Sequence, residues 1–302
     1  MAGLIGAFLR WEGQPYTLDR HFQFEPILST SIVRNMVFMT GRQLGKTVAE
    51  SVEAVLRCAT LTDPKPYSHM FVTPLFEQVR RISNDHIRPL LENSPLRTAW
   101  MGRLNERSVL RRIFKNGAKM IFTFAYTSAD RIRGNSVDGV TFDEVQDFRE
   151  EFFPIVHEVV AASPYQILRY YGTAKGSDTT LARLWGDTSQ AEWVIPCIRC
   201  GYYNIPSLDY DILNMLGPLR DDISPENPAL VCAKCRKPVH PKLGRWLHRH
   251  QDLSTKFPGY HLPQPIMETH YGSRKNWEIM LDKQAGRRSF TPTQFNNEVL
   301  GE

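Results

Sequence analysis

One segment limits the possible folds more than any other: a glycine-containing loop between an apolar stretch and a helical pattern. Residues 34–39 (RNMVFM) predict a short buried strand, and residues 47–61 carry apolar side chains at helical spacing. Between them lies Thr40-Gly41-Arg42-Gln43-Leu44-Gly45-Lys46-Thr47. Glycine lets backbone amides approach phosphate oxygens, lysine reaches the outer phosphates, and a hydroxyl binds Mg²⁺. The order Gly45, Lys46, Thr47 favours a phosphate-binding loop over an incidental glycine turn, although Thr40 replaces the usual first glycine.

A second motif is an apolar strand that ends in two adjacent carboxylates, Val140-Thr141-Phe142-Asp143-Glu144. In NTPases with a phosphate loop, an acid at this place holds Mg²⁺. A second acid beside it can activate the attacking water. Acids also suit a helix N-terminus, but that alternative does not account for the pairing with the loop. The two motifs together predict a nucleotide-hydrolysing enzyme.

The rest of the pattern alternates strands and helices. Asn116-Gly117 lies between two apolar runs and predicts a β-hairpin. Strands are predicted for residues 69–73, 137–142 and 167–172, and helices for the stretch after Pro74 up to Leu91 and for residues 151–162. This alternation predicts an α/β fold with a largely parallel sheet flanked by helices and an attached antiparallel hairpin.

Four of the five cysteines form two CxxC pairs, Cys197 with Cys200 and Cys232 with Cys235. Four thiolates on two tight turns suit a closed, structural Zn²⁺ site of the zinc-ribbon kind. Three alternatives to a zinc site remain open: two CxxC pairs that form no common site, a redox dithiol, and an iron–sulfur cluster. We expect residues 1–195 to form the ATPase core, residues 196–245 a zinc-binding insertion, and residues 246–302 the remainder of the ATPase. Cys58, on the helix after the loop, is expected to be buried.

Charge and composition exclude several classes of protein. With 42% hydrophobic residues and a net charge of +5, the chain is neither disordered nor collagen-like nor a small disulfide scaffold. Residues 97–119 and 234–250 are strongly basic, and they are either DNA-backbone contacts or solvated faces. No apolar run approaches the roughly 18 residues of a membrane span, and we see no signal peptide. We therefore expect an intracellular, reducing location.

Two further segments bear polar groups that suit a nucleotide site. Tyr171-Gly172-Thr173-Ala174 closes the next strand, where the Thr173 hydroxyl could sense the terminal phosphate; a simple turn is the alternative. Arg131 and Arg133 lie shortly before the acidic strand. An arginine supplied in cis or in trans can stabilise the transferred phosphoryl group; surface or DNA-contacting arginines are the alternative.

The segments TGRQLGKT, RIRGNSVDGVTFDE and YYGTA, in this order, resemble the ATPase domain of the large terminase subunit of tailed bacteriophages. The resemblance implies a P-loop NTPase fold of the ASCE type that uses ATP and Mg²⁺. It implies catalytic roles for Glu144, for Arg133 as a trans-acting finger and for Arg42 of the loop. It implies nucleotide contacts from Gly41, Gln43, Gly45, Lys46, Thr47, Asp143 and Thr173. The metal ligands that it implies for Mg²⁺ are Thr47 and Asp143. Some large terminases carry a comparable cysteine insertion followed by a Gly-x-Trp element, here Gly244-Arg245-Trp246, and this likeness supports Zn²⁺ at the four cysteines.

The same resemblance implies a motor that couples ATP hydrolysis to movement of double-stranded DNA into a procapsid in the host cytoplasm. The partners implied are a portal protein, a small terminase subunit and further copies of the chain in a ring; no membrane partner is expected. Two departures stand out. Phe24-Glu25-Pro26 occupies the place of the family's adenine-contacting glutamine. The family's nuclease domain has no room in the residues up to Glu302, so either this sequence is a truncated motor or the nuclease is elsewhere, and we expect no DNA cleavage by these residues. The rivals are a helicase-like remodelling ATPase and a zinc-ribbon DNA-binding or capsid-docking protein with a vestigial nucleotide site.

Overall fold

The computed structural model describes residues 2–28, 33–95, 97, 108–125 and 128–302. The chain forms two compact units. The first comprises Met1–Leu18, Phe24–Met36 and Gly45–Tyr171, and the second comprises Asp19–Gln23, Val37–Leu44 and Gly172–Glu302. Within the described ranges, no helix has the length and apolar character that crossing a bilayer requires.

The secondary structure alternates as the sequence predicts. The strands are β1 (Arg10–Trp11), β2 (Gln14–Pro15), β3 (Asn35–Thr40), β4 (Ser68–Thr73), β5 (Arg111–Ile113), β6 (Lys119–Phe124), β7 (Gly139–Phe142), β8 (Ile167–Thr173), β9 (Ala191–Pro196), β10 (Tyr203–Asn204), β11 (Arg245–His248) and β12 (Gly259–Leu262). The α-helices are α1 (Ala2–Phe8), α2 (Lys46–Thr60), α3 (Phe76–Arg81), α4 (Arg88–Glu92), α5 (Phe153–Ala161), α6 (Thr180–Gly186), α7 (Ile212–Met215), α8 (Glu268–Tyr271), α9 (Arg274–Gln284) and α10 (Pro292–Phe295). Two π-helical segments, Ile82–Ile87 and Asn296–Leu300, join or extend these helices.

The strands of the first unit follow the order β8-β7-β4-β6-β5. The first four are parallel, and β5 pairs with β6 antiparallel, with Arg111 opposite Ile121. Strands β4, β7 and β8 are almost fully buried, as expected for parallel strands covered on both faces. The hairpin predicted at Asn116-Gly117 is confirmed: the Asn116 side chain accepts from the Ala118 amide, and Gly117 has a φ of 85°.

The second unit contains the order β10-β9-β12-β3, with β11 also paired to β9. Strand β12 is parallel to β3 and to β9, whereas β10 and β11 are antiparallel to β9. In the β12–β3 register Leu262 lies opposite Thr40. Because parallel strands end at the same edge of a sheet, the residues after Leu262 leave the sheet where the phosphate loop begins.

Helix α2 begins at Lys46 because Gly45 turns the chain in the left-handed region, with a φ of 77° that favours glycine. Its side chains from Ala49 to Ala59 are buried all round, so the helix lies inside the first unit and not on its surface. The predicted helix is thus confirmed, and its first turn carries Lys46 and Thr47.

A buried ion network ties α2 to β8. Glu53 Oε1 accepts from Arg57 Nη2 at 2.8 Å and from Arg169 Nε at 3.0 Å. Arg169 Nη1 also donates to the backbone oxygen of Arg34 at 3.0 Å. The two arginines and the carboxylate are almost fully buried, and removing one partner of such a network typically costs about 3–5 kcal/mol. The network fixes the helix that carries the loop lysine.

Candidate functional site

The central feature of the site is a lysine between two carboxylates. Lys46, the first residue of α2, places its Nζ 3.0 Å from Asp143 Oδ1 and 2.6 Å from Glu144 Oε1. The two acids follow the end of β7, which is the geometry that the sequence motifs predict. A lysine and a pair of acids that are far apart in the sequence therefore meet at one point of the first unit.

Burial governs the protonation of this cluster. Burial by itself would lower the pKa of Lys46, but the charges of Asp143 and Glu144 outweigh it and raise the pKa above its ordinary value. For Asp143, burial raises the pKa, and the attraction of Lys46 offsets part of that rise. Lys46 is consequently a firmly held cation, suited to a phosphate that displaces the carboxylates.

Glu144 is held in an uncommon backbone conformation. Its φ is 59°, in the left-handed region that a non-glycine residue occupies at a cost of order 1–3 kcal/mol. Its amide donates to Asp143 Oδ1 at 3.0 Å, and its Oε2 accepts from Gln146 Nε2 at 2.6 Å. The carboxylate is thus fixed in direction by Lys46 on one oxygen and Gln146 on the other.

The sequence analysis missed one acid of this cluster. Glu50 lies one helical turn after Lys46, and burial raises its pKa well above the ordinary value; the charge of Asp143 adds to the rise, and Lys46 opposes it. Burial therefore favours the neutral form of the carboxyl. The signal was available, because residues four apart on a helix share a face, but the motif ends at Thr47.

The loop residues Gly41 and Arg42 contact the last turn of the chain, within the second unit. The Arg42 amide donates to Glu298 O at 2.7 Å, and Arg42 Nη1 lies 3.3 Å from Glu298 Oε1. A Cβ on Gly41 would lie 2.6 Å from Val299 O, so only glycine fits there. The structure therefore gives Arg42 a carboxylate partner outside the Lys46 cluster.

The predicted coupling residue, Thr173, is the last residue of β8 and is buried. One residue before it, the Gly172 carbonyl accepts from Thr40 Oγ1 at 3.2 Å. Thr40 thereby takes a structural role at the position where the usual loop pattern has glycine.

The two candidate finger arginines differ in their surroundings. Arg131 lies over the Phe124 ring, with its guanidinium carbon 4.5 Å from the ring centroid. Arg133 is 65% exposed and contacts only Asp130 among its described ion pairs, at 3.7 Å. Among the described residues, no ion pair or hydrogen bond joins Arg133 to Lys46 or Glu144.

The four cysteines of the CxxC pairs converge, with all their Sγ atoms within 4.8 Å of one another. Cys197 Sγ lies 3.7 Å from Cys235 Sγ, and Cys200 Sγ lies 3.7 Å from Cys232 Sγ. A tetrahedral metal with bonds of about 2.3 Å to sulfur has S···S edges of about 3.8 Å, so the donor set fits Zn²⁺. Cys58 lies elsewhere and is buried, as predicted, and burial raises its pKa.

Some arginines of the two basic segments, residues 97–119 and 234–250, already have hydrogen-bond partners within the chain. Arg112 is buried against Ser83, and Arg249 contacts Asp209 and Tyr210. Residues 98–107 lie outside the described residues. They include Arg103, Arg107 and Trp100 of the first basic segment. DNA contact by these segments stays a prediction.

The chain is similar to one known protein family and to several solved structures. The family model for the phage terminase large subunit gpA, ATPase domain, matches residues 10–249. The large terminase ATPase domain of Thermus phage P74-26 is 16% identical with a TM-score of 0.55, and the match covers 93% of this chain and 92% of that chain. The large terminase of bacteriophage HK97 is 14% identical with a TM-score of 0.57, and the match covers 100% of this chain and 54% of that chain. No curated protein matches the chain. At these identities the two structures show the fold, and the family model shows the family.

Proposed function

We propose a function for this chain from the premise that it belongs to the phage terminase large subunit gpA ATPase family. Family membership supports ATPase activity. The chain then serves as the motor of a viral packaging complex, coupling ATP hydrolysis to movement of double-stranded DNA into a procapsid. The observation that carries the proposal is the buried cluster of Lys46, Asp143 and Glu144.

The cluster fits a nucleotide with its metal. Lys46 Nζ, a single positive charge, lies between the two carboxylates, which supports a cation site there. Oxygen ligands such as the Asp143 carboxylate and the Thr47 hydroxyl suit Mg²⁺, which supplies charge neutralisation for the phosphates. The amides of the loop, from Gly41 through Gln43 to Gly45, would bind the phosphate oxygens.

Glu144 is proposed as the base that orients and activates water. When Lys46 turns to a phosphate, Glu144 Oε1 loses its ammonium partner at 2.6 Å, while Gln146 Nε2 still donates to Oε2. Binding of the nucleotide thus prepares the base. Thr173, at the end of β8, is proposed to sense the terminal phosphate.

Arg133 is proposed as a finger that acts on a neighbouring copy of the chain. Its exposure favours action in trans. Arg42, which Glu298 holds, is the second arginine proposed to stabilise phosphoryl charge. The assembly is then a homo-oligomeric ring in the host cytoplasm, with a portal protein and a small terminase subunit as partners. The Cys197, Cys200, Cys232 and Cys235 site holds a structural Zn²⁺ in this proposal.

The first test is ATP hydrolysis measured against protein concentration, with and without linear duplex DNA. We expect turnover per chain to rise with concentration, and Glu144→Gln to lower it at least about 100-fold while ATP still binds. Glu158→Gln, an exposed acid on α5, is the matched control and should behave as wild type. Equal turnover in Glu144→Gln and wild type contradicts the catalytic assignment. DNA binding without turnover at any concentration favours the vestigial-site rival.

A further inference from the structure

Helix α2 carries two buried acids that differ in their partners. Burial would raise the pKa of Glu53, but the charges of Arg169 and Arg57 outweigh it and lower the pKa. Glu50, three residues earlier, is 0% exposed, and neither of its carboxyl oxygens has a hydrogen-bond partner among the described residues. Almost all buried polar groups in proteins are paired, and an exception points to a water or an ion that the chain does not supply.

The acid at position 50 does not serve the packing of α2. The side chains from Ala49 to Ala59 are all buried. An apolar side chain of similar length would fill the space of Glu50 without the cost of removing a carboxyl group from water. Local rules of this kind are broken mainly at functional sites, where the lost stability is exchanged for binding or chemistry.

The surroundings of Glu50 include the two residues proposed to hold Mg²⁺. Burial raises the pKa of Glu50 most, the charge of Asp143 adds to the rise, and the Thr47 hydroxyl is close enough to lower it. Thr47 and Glu50 are three residues apart on α2 and therefore share a face of the helix. Lys46 and Glu144 also act on the carboxyl. All five residues belong to the first unit, so the unpaired acid is part of the phosphate cluster.

The two acids after β7 already have partners within the chain. Asp143 Oδ1 lies 3.0 Å from Lys46 Nζ and accepts from the Glu144 amide. Glu144 Oε1 lies 2.6 Å from Lys46 Nζ, and its Oε2 accepts from Gln146. Glu50 is thus the acid of this cluster whose two oxygens are both unengaged among the described residues.

The chemistry of Mg²⁺ supplies the kind of partner that Glu50 lacks. Mg²⁺ dehydrates reluctantly and keeps several waters when it binds carboxylates and phosphates. These waters donate hydrogen bonds to the groups around them, and such outer partners change metal affinity about 10–100-fold. A buried carboxyl with two unengaged oxygens is suited to accept those hydrogen bonds, and the charge of the dication offsets the cost of its burial.

We propose that Glu50 is a positioning residue for Mg²⁺: it accepts hydrogen bonds from the water that the ion carries, while Thr47 and Asp143 bind the ion itself. The inference rests on the proposed ATPase function. It leaves Glu144 as the base and gives the buried acid of α2 a separate task, which is to set the affinity for the metal. The effect of Glu50 on the nucleotide is therefore indirect and depends on the presence of Mg²⁺.

The test is calorimetric titration of the full chain with ADP, once with saturating Mg²⁺ and once with EDTA. The quantity compared is the gain in ADP affinity that Mg²⁺ provides. Glu50→Gln should reduce this gain at least about tenfold and change the affinity for metal-free ADP less than about twofold, because an outer partner acts on the metal alone. Glu158→Gln, the exposed acid on α5, should keep the gain of wild type.

A stability measurement separates this role from a structural one. In urea denaturation without nucleotide, Glu50→Gln should be at least as stable as wild type, because it removes an acid that no described residue pairs. Glu53→Gln should be clearly less stable, because it leaves Arg57 and Arg169 buried without their carboxylate.

Three results would overturn the role of Glu50 while the ATPase proposal stands. They are an unchanged gain from Mg²⁺ in Glu50→Gln, an equal loss of ADP affinity with and without the metal, and a loss of stability like that of Glu53→Gln. Failure of wild type to bind ADP under either condition overturns both proposals.

Discussion

At the level of single residues, His261 shows how a buried histidine can be held as a cation. Its Nδ1 lies 2.8 Å from Glu192 Oε2, and its Nε2 lies 2.7 Å from Leu300 O, with Glu302 3.7 Å away. Both near partners only accept, so both ring nitrogens carry hydrogen. Burial alone would lower the pKa of His261, but the carboxylates outweigh it and raise the pKa to about 9.

This raised pKa predicts a pH dependence of stability. The folded state holds the proton more tightly than the unfolded state, whose histidine pKa is about 6.5. The stabilisation is therefore complete below about pH 6.5 and disappears as pH rises through about 9. His261→Gln should lower the free energy of unfolding at pH 6 and flatten its decline between pH 6.5 and 9, measured by urea denaturation. The exposed His250→Gln is the control, and an unchanged pH slope in His261→Gln would contradict the imidazolium.

At the level of elements, the segment around the four cysteines depends on its metal. Strand β10 has two residues and α7 has four, so regular structure contributes little there. Metal removal leaves thiols in place of four metal–sulfur bonds, and the binding energy of a structural zinc is largely folding energy.

We expect about one Zn²⁺ per chain by elemental analysis, and increased amide exchange over residues 196–245 after chelation. The amide exchange of α2 should remain slow, because the core of the first unit holds that helix. Cys232→Ser should reproduce the chelation effect, whereas Cys58→Ser, at the cysteine outside the cluster, should not. A chain that is metal-free as purified from zinc-containing medium, yet protected across this segment, would contradict the zinc assignment.

Elements with a local signature could be predicted from the sequence. The hairpin at Asn116-Gly117 and helix α2 are set by neighbouring residues, so both were predictable. The sequence predicts one helical run after Pro74, but the structure has α3, a π-helical segment and α4. A π-turn adds a residue without changing the apolar pattern enough to be recognised.

The same distinction holds for the site. Lys46, Asp143 and Glu144 lie in motifs whose spacing carries their meaning, and the structure brings them together. The ion pair of His261 depends on strand order and on contacts between distant segments. Those long-range contacts leave no periodic trace in the sequence.

At the level of the whole molecule, the proposed ring makes a prediction about mixtures. Arg133→Ala lacks the finger but retains its own cluster, and Glu144→Gln lacks the base but retains its finger. If Arg133 acts in trans, a mixture places an intact finger beside an intact cluster at some interfaces. ATP turnover of the mixture should then exceed the sum of the two variants, measured at a concentration where wild type is active. If ATP turnover of the mixture does not exceed the sum of the two variants, the finger acts in cis or is another residue.

The close approach of Gly41 and Gly301 has a consequence for how the protein is made. A Cβ on Gly301 would lie 2.6 Å from the amide nitrogen of Gly41, so the two backbones pack directly against each other. This contact closes a loop of nearly the whole chain, and such long-range closures are slow because most of the chain must be ordered first. During synthesis, which proceeds from the N-terminus, the loop motif emerges early but gains this support only after residue 301 has left the ribosome. Between the synthesis of residue 47 and that of residue 301, a nascent chain therefore carries every phosphate-loop residue without the finished loop.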